Sequence, residues 1–334
     1  MEPLRWGVLS TAKIGLDKVV PAMMKGHHCR VVALASRSGA LSRAAAERLG
    51  IPAAYDSYEA LLADPDVEAV YNPLPNHLHV PWTIRAMEAG KHVLCEKPVA
   101  ITAAEAAELV EAERRTGRRV AEAFMVRHHP QWRRARALVT EGRVGEARLI
   151  RAVFAYHLVD PSNIRNQADI GGGGLYDIGC YAIAAARYLF GAEPTRVIAT
   201  IERDPEMGID RLASGLLDFP GGRQLVFSCA TQLAARQSVE ILGPRGRIEI
   251  RVPFNADPAR PSEIVVDDGR DLYGGGAASE PFLPVDQYTL QGDAFSRAIR
   301  EDTPFEHPIA DAVANMKVIE ALLRSEASGR WETP

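Results

Sequence analysis

Residues 5 to 15 read Arg-Trp-Gly-Val-Leu-Ser-Thr-Ala-Lys-Ile-Gly. Arg5–Leu9 is a short apolar run of strand length, and Ile14–Met24 beyond the turn carries apolar residues at helical spacing. Strand, tight turn and helix open a βαβ unit. The same grammar repeats outward from here. Val31–Ala35, Ala53–Tyr55, Ala69–Tyr71, Lys91–Leu94 and Arg119–Ala123 read as further buried strands. Leu41–Leu49, Ser57–Ala63, Asn76–Ala89 and Thr102–Thr116 read as the helices between them. Gly50, Gly90 and Gly117 stand where helices stop, and Asn76 and Thr102 where they start. Alternating strand and helix predicts a doubly wound parallel sheet.

Past Ala123 the grammar changes. A helix, Pro130–Glu141, is followed by strand-like runs at Ala147–His157, Arg196–Glu202, Ala213–Phe219, Arg223–Cys229, Ser238–Leu242, Arg247–Arg251 and Glu263–Val266. Helices are expected at Leu175–Phe190, Gln287–Arg300 and Ile309–Ser325, and a polar loop at Asp268–Ala278. Consecutive strands with few helices predict an α+β domain with a large, mostly antiparallel open sheet. The expected division is a Rossmann domain over 1–123 and a second domain over 124–330.

The chain has 334 residues, 47 % apolar and 25 % charged, with a formal net charge of −4. That balance fits a globular enzyme of two domains and excludes a dedicated nucleic-acid binder. No apolar stretch reaches bilayer length, and no secretory pattern opens the chain, so a cytoplasmic protein without membrane partners is expected. The four cysteines lie far apart, without C-x-x-C spacing, and read as reduced buried thiols.

Chemistry gathers at the strand ends. The first turn, with Thr11, Ala12, Lys13 and Ile14, carries S-x-A-x-x-G in place of G-x-G-x-x-G, still small enough for a backbone to approach a pyrophosphate. The second strand ends in Ser36-Arg37, where an NAD enzyme places a carboxylate for the ribose. A hydroxyl and a guanidinium suit a 2′-phosphate, so NADP is the expected cofactor, with NAD second. The turn Asn72–His79 lies at the same edge, with Asn72, Leu74 and His79 as cofactor candidates. Gly90–Pro98 ends a strand by presenting Glu96 and Lys97 before Pro98. Asp177 and Tyr181 stand four apart on a helix, behind four glycines that allow a close approach to a ligand. The adjacent His128 and His129 point different ways, so no shared metal is expected.

These stretches resemble the glucose–fructose oxidoreductase/inositol dehydrogenase (Gfo/Idh/MocA) family. The matching pieces are Trp6–Ile14, Pro75–His79, Ala89–Pro98, Glu122–Arg127, Asn163–Arg165 and Gly171–Tyr181. The resemblance implies a catalytic lysine at Lys97 and a second-domain sheet whose open face makes a homodimer or homotetramer. Tyr181 stands where many members have histidine. This resembles the branch with glucose–fructose oxidoreductase, NADP-linked xylose dehydrogenases and dimeric dihydrodiol dehydrogenases, in which tyrosine and lysine form the acid/base pair. The resemblance also places Arg165 and Tyr288 beside the cofactor and Glu96 near its ribose.

The residues support the same chemistry. Hydride transfer to a carbonyl needs a proton donor at the developing alkoxide. A phenol titrates near 10, too high to cycle at neutral pH, and an ammonium beside it lowers that value. Tyr181 is then the acid/base, Lys97 its tuner, and Asp177 either orients Lys97 or binds a substrate hydroxyl. The expected activity is NADP-dependent oxidation or reduction of a sugar or related polyhydroxylated compound, with aldose C1 oxidation the specific fit. A non-catalytic dinucleotide sensor would not need Lys97 and Tyr181 together. An NAD-dependent glycosidase-like hydrolase is disfavoured by Arg37. Relatives that retain the cofactor and swap oxidation state between two sugars carry an export signal and an N-terminal arm, which this sequence does not display.

Overall fold

The computed structural model describes residues 1–334. By its internal contacts the chain divides into two compact units, Met1–Met125 with Asp286–Val313 and Val126–Val285 with Ala314–Pro334. The division thus falls two residues beyond the expected cut and returns residues 286–313 to the first unit.

The first unit is built on β1 (Leu4–Leu9), β2 (Cys29–Ala35), β3 (Ala53–Tyr55), β4 (Ala69–Asn72), β5 (His92–Cys95) and β6 (Val120–Glu122). They form one sheet in the order β3-β2-β1-β4-β5-β6, every pairing parallel. The order reverses between β1 and β4, so the carboxyl ends of these strands open a crevice at the switch point, where such sheets bind ligands. Trp6, Met23, Leu34, Tyr71, Leu94 and Phe295 fill its core, and the Trp6 indole N–H donates to Ser296 Oγ at 3.0 Å. The helix Gln287–Arg300 therefore covers this unit's sheet although it lies late in the sequence.

The helices Gly39–Leu49 and Ala103–Thr116 form as their patterns predict. Both end at a left-handed glycine, Gly50 or Gly117. Asn76 does not cap an α-helix. It opens a 3₁₀ turn closed by the Leu78 amide on the Pro75 carbonyl at 2.8 Å, so the α-helix starts at His79 with no side-chain cap. Helix Ile14–Met24 contains a π turn at Gly15–Val19, followed by Val20–Met23.

The second unit holds β7 (Leu149–His157), β8 (Arg196–Arg203), β9 (Asp210–Phe219), β10 (Arg223–Ala230), β11 (Gln232–Gly243), β12 (Gly246–Ile250), β13 (Ser262–Asp267) and β14 (Ala277–Phe282). Their order is β14-β13-β12-β11-β7-β10-β9-β8, with only β7 and β10 parallel. Strand β14 begins inside the segment expected to be loop. It is an edge strand, exposed along much of its length, and carries Pro281, so it has no apolar alternation to betray it. On the inner face, Phe154, Tyr181, Phe254 and Trp132 stack as one aromatic group. The four cysteines are free and buried. No helix is long and apolar enough to cross a membrane.

Candidate active site

In the first unit, β1 leads into Ser10, which adopts φ +73. This is the position of the first fingerprint glycine, and a serine here accepts left-handed backbone strain to make the same turn. Its Oγ accepts the Ala12 amide at 3.2 Å, and its own amide donates to Ala35 at 2.8 Å. Thr11 and Ala12 are half-buried, and the chain is helical from Lys13. Ser10 Oγ thus claims the amide just ahead of the helix, and no side chain bonds at Ile14, where the π turn opens. A methyl on Gly15 would meet Pro73 and Tyr71 only at 3.5 Å, ordinary contact, so packing alone does not demand glycine there. A helix start met by a neutral hydroxyl, at the switch point, fits a dinucleotide pyrophosphate.

Beyond β2, Ser36 is buried and its Oγ accepts the Ser38 amide at 3.3 Å. Ser38 Oγ in turn caps Gly39–Leu49 through the Leu41 amide at 3.4 Å. Arg37 is exposed and acts on the Tyr58 hydroxyl, opposing the upward push of burial on that phenol. Arg43, which the sequence reading missed, folds back so that its Nη1 would lie 3.1 Å from a methyl on Gly39. Two arginines and two serines thus stand around this helix start together with Asp56, whose Cβ would lie 3.0 Å from the same methyl, and the end of β2 itself carries no carboxylate. The signal for Arg43 was its place one helical turn past Gly39.

The next edge loops are knitted together by side chains rather than left open. Asn72 is buried. Its Nδ2 donates to the His79 carbonyl and Thr83 Oγ1, both at 3.1 Å, and its Oδ1 accepts the Leu74 amide at 3.3 Å. Leu74 is buried beside it. The His79 ring lies between two carbonyls, with Nε2 2.6 Å from Leu74 O and Nδ1 2.8 Å from Pro98 O. Burial pushes this imidazole down to about 4. Asn72 and His79 therefore hold the loops in place rather than spending all their polar atoms on a ligand.

Glu96 receives the hydroxyl of Tyr71 at 2.6 Å and the Lys97 amide at 3.3 Å. Tyr71 is fully buried, and burial with the Glu96 charge pushes its phenol up. Tyr288 feels the same Glu96 charge, and burial pushes its phenol up too. Tyr71 and Tyr288 are thus two neutral phenols that feel the Glu96 charge, and Lys97, the next residue after Glu96, is partly exposed. Tyr71 was invisible to sequence reasoning because it lies within a strand that reads as pure core.

In the second unit, Asp177 is the hub. Its Oδ2 accepts the Tyr156 hydroxyl at 2.5 Å and its Oδ1 accepts Arg165 Nε at 3.1 Å. Burial and the Asp177 charge push Tyr156 up, so it remains a donor. Tyr181 is 6 % exposed, its ring packed edge-on to Phe154 and tilted against Phe254 at centroid distances of 5.7 and 5.3 Å. The glycines ahead of Asp177 serve the fold. A methyl on Gly172 would lie 2.6 Å from Gln167 O and 2.7 Å from Arg165 O. The close approach there is to the chain's own backbone. Among Arg127, His128 and His129, all buried, His129 is the N-cap of Pro130–Thr140, its Nδ1 accepting the Gln131 amide at 3.2 Å. Burial pushes its imidazole down to about 4, which keeps that nitrogen an acceptor.

The chain belongs to the GFO/IDH/MocA family. The model of its NAD-binding Rossmann oxidoreductase domain matches residues 4–124, and that of its C-terminal domain matches residues 132–249. Among curated relatives, a D-xylose 1-dehydrogenase (NADP(+)) of Haloferax volcanii is 37 % identical over 98 % of both chains. Among solved structures, aldose–aldose oxidoreductase from Caulobacter crescentus superposes with a TM-score of 0.91 at 29 % identity, covering 100 % of both chains. KijD10, a 3-ketoreductase from Actinomadura kijaniata in complex with NADP and TDP-benzene, superposes with a TM-score of 0.90 at 31 % identity over 97 % of this chain and 98 % of that one. The protein is an oxidoreductase with an NAD-binding Rossmann domain.

Proposed function

We propose that this member of the GFO/IDH/MocA family is an NADP-dependent sugar dehydrogenase that oxidises an aldose at C1. The observation that carries the cofactor choice is the helix start at Ser38, ringed by Ser36, Arg37 and Arg43 with no ribose carboxylate at the end of β2. Guanidinium groups recognise a phosphate through paired N–H donors. The Haloferax relative is named for D-xylose and NADP(+), and the Caulobacter enzyme for aldoses.

The nicotinamide supplies or accepts the hydride. Every other part of the reaction falls to side chains of this chain. Tyr181 takes the proton from the sugar hydroxyl in oxidation and returns it in reduction. Lys97 stabilises the phenolate and binds the same sugar oxygen. Asp177 anchors Arg165 toward the cofactor. In the same reading Asp177 faces the substrate from the helix that carries Tyr181. Glu96, set by Tyr71 and next to Lys97 in the chain, would hold the ribose. Assembly into a homodimer or homotetramer uses the outer sheet face. There Val153 and Val226 are exposed and Ser214 bonds Ser228 at 2.8 Å. Four buried free thiols suit a reducing cytoplasm.

A second reading has one observation in its favour. The solved aldose–aldose oxidoreductase is matched over 100 % of both chains, which supports an enzyme that swaps oxidation state between two sugars. Titration of NADPH and NADH into protein freed of cofactor tests the first reading. NADPH should bind more tightly, and Arg37→Ala should weaken it about 10- to 100-fold while leaving NADH unchanged, the range for a lost charged hydrogen bond. Preference for NADH would overturn it. NADP that resists removal, with turnover requiring two sugars and no added cofactor, would establish the second reading.

A further inference from the structure

The helix that carries Asp177 and Tyr181 opens with one π turn, Leu175–Gly179, and continues as α-helix to Phe190. No side chain of its own first turn caps it. The cap comes from another element. Asp210, the first residue of β9, is buried, and its Oδ2 accepts the Leu175 amide at 2.5 Å. The amides of Gly174 and of Asp210 itself also bond this carboxylate. The preceding glycines are shaped around it. A methyl on Gly173, at φ +122, would overlap the carboxylate, and one on Gly174 would lie 3.2 Å from the Asp210 carbonyl oxygen.

We propose that Asp210 is a positioning residue for the reaction: from β9 its carboxylate grips the start of the helix and so fixes where Asp177 and Tyr181 stand. The proposal rests on the reading of Tyr181 as the acid/base. Charge-assisted bonds are shorter and stiffer than neutral ones, which suits a grip whose task is position. The chain keeps this charge against burial, which pushes the carboxyl up from 3.8 to about 6. The charged and titratable groups acting on it are Arg203 from β8, which holds the value down, and Cys229 from β10, itself pushed well up and therefore neutral.

The signs follow from that placement. The folded-state value lies above the ordinary one, so the charge weighs against the fold above about pH 6. The weight is lifted as pH falls through that value. The grip weakens over the same window, because a protonated carboxyl is the poorer acceptor. Asp210→Asn keeps the shape and removes the charge. It should therefore melt no lower than the native protein at pH 8 while turning over more slowly. A residue that only supported the fold would show the two falling together.

The experiment measures hydrogen exchange in a peptide covering residues 172–181, kcat for NADP⁺-linked D-xylose oxidation, and melting temperature. Native protein and Asp210→Asn are compared from pH 5 to pH 8, with exchange corrected for its intrinsic pH dependence. In the native protein, protection and kcat should both fall about tenfold below pH 6, the weight of one charged hydrogen bond. In Asp210→Asn the step near pH 6 should be missing from both, with kcat at pH 7.5 about tenfold lower and the KM for NADP⁺ within about twofold. Native protection and native kcat in the variant would overturn the proposal, as would a kcat loss matched by a fall in melting temperature. If native protein does not oxidise D-xylose, the substrate reading fails and the exchange measurement alone decides the grip.

Discussion

Two helix starts, one in each unit, are treated in opposite ways. The start after Ser10 is met only by a neutral hydroxyl, Ser10 Oγ on the Ala12 amide at 3.2 Å. The start at Leu175 is capped by a carboxylate 35 residues further along the chain. Both are the positive end of a helix dipole, and both follow a turn of small residues. The difference is who supplies the negative charge. At Leu175 the protein supplies its own, so glycines there make room for Asp210 and not for a ligand. After Ser10 the chain offers a neutral hydroxyl and, a turn further on, Asp17, which faces Arg48 at 3.5 Å; on the NADP reading a phosphate would supply the charge. A glycine-rich turn before a helix therefore points to a ligand only where the fold leaves the amides unclaimed.

The largest effect that sharpens this comparison is on turnover. Lys97→Met and Tyr181→Phe should each lower kcat about 10²- to 10⁴-fold, the range for removing general acid/base help. Tyr181→Phe should leave NADPH affinity within about twofold, since the self-capped helix holds no phosphate. Stopped-flow or steady-state kinetics beside a fluorescence titration separates the two quantities. A Tyr181→Phe enzyme with native kcat would return the ring to the aromatic core it shares with Phe154 and Phe254, and to no chemistry.

Tyr156→Phe should have a middling effect. It removes the Tyr156 hydroxyl from Asp177, a carboxylate whose side chain is only 14 % exposed. The loss of a bond to a charged group costs about 1.5–3 kcal/mol of stability. Turnover should fall about three- to tenfold as Arg165 loses its fixed anchor. Thermal melting and kcat measured together decide it. Unchanged melting would mean that water replaces the hydroxyl, and that Asp177 is less enclosed than its contacts indicate.

What was legible in the sequence follows the same line. The parallel sheet was readable because each strand and helix is signalled by its own residues, and the Ser10 turn because the fingerprint is local. Arg37 stood out as the wrong residue at a known distance from that turn. Asp210, Tyr156 and Tyr71 were not readable. Each acts on a partner 21 to 35 residues away. Nothing near any of them marks it as more than strand. Gly173 and Gly174 were not readable for the same reason, since Asp210, the group they accommodate, lies on another strand. Asn76 misled differently: it has the composition of a cap, but the Pro75 carbonyl claims the Leu78 amide first and closes a 3₁₀ turn.

The smallest expected effect tests whether capping as such matters to function. Thr102 caps Ala103–Thr116 from within the same stretch of chain. Its Oγ1 accepts the Glu105 amide at 3.1 Å, while the Glu105 carboxylate turns back to the Ile101 amide at 3.0 Å. This helix also follows β5 and the Lys97 turn, so it is a third helix start near the chemistry, neither reserved for a ligand nor held from afar. Thr102→Ala should cost about 1 kcal/mol of stability, the usual weight of one cap. It should change neither kcat nor NADPH affinity. Denaturant melts and the cofactor titration measure both. If turnover fell with this local cap as it should with Asp210→Asn, loss of any helix cap would slow the enzyme, and the grip from β9 would have no special claim on Tyr181. If only stability moved, the position of the catalytic helix would be set by the one cap that comes from a different strand.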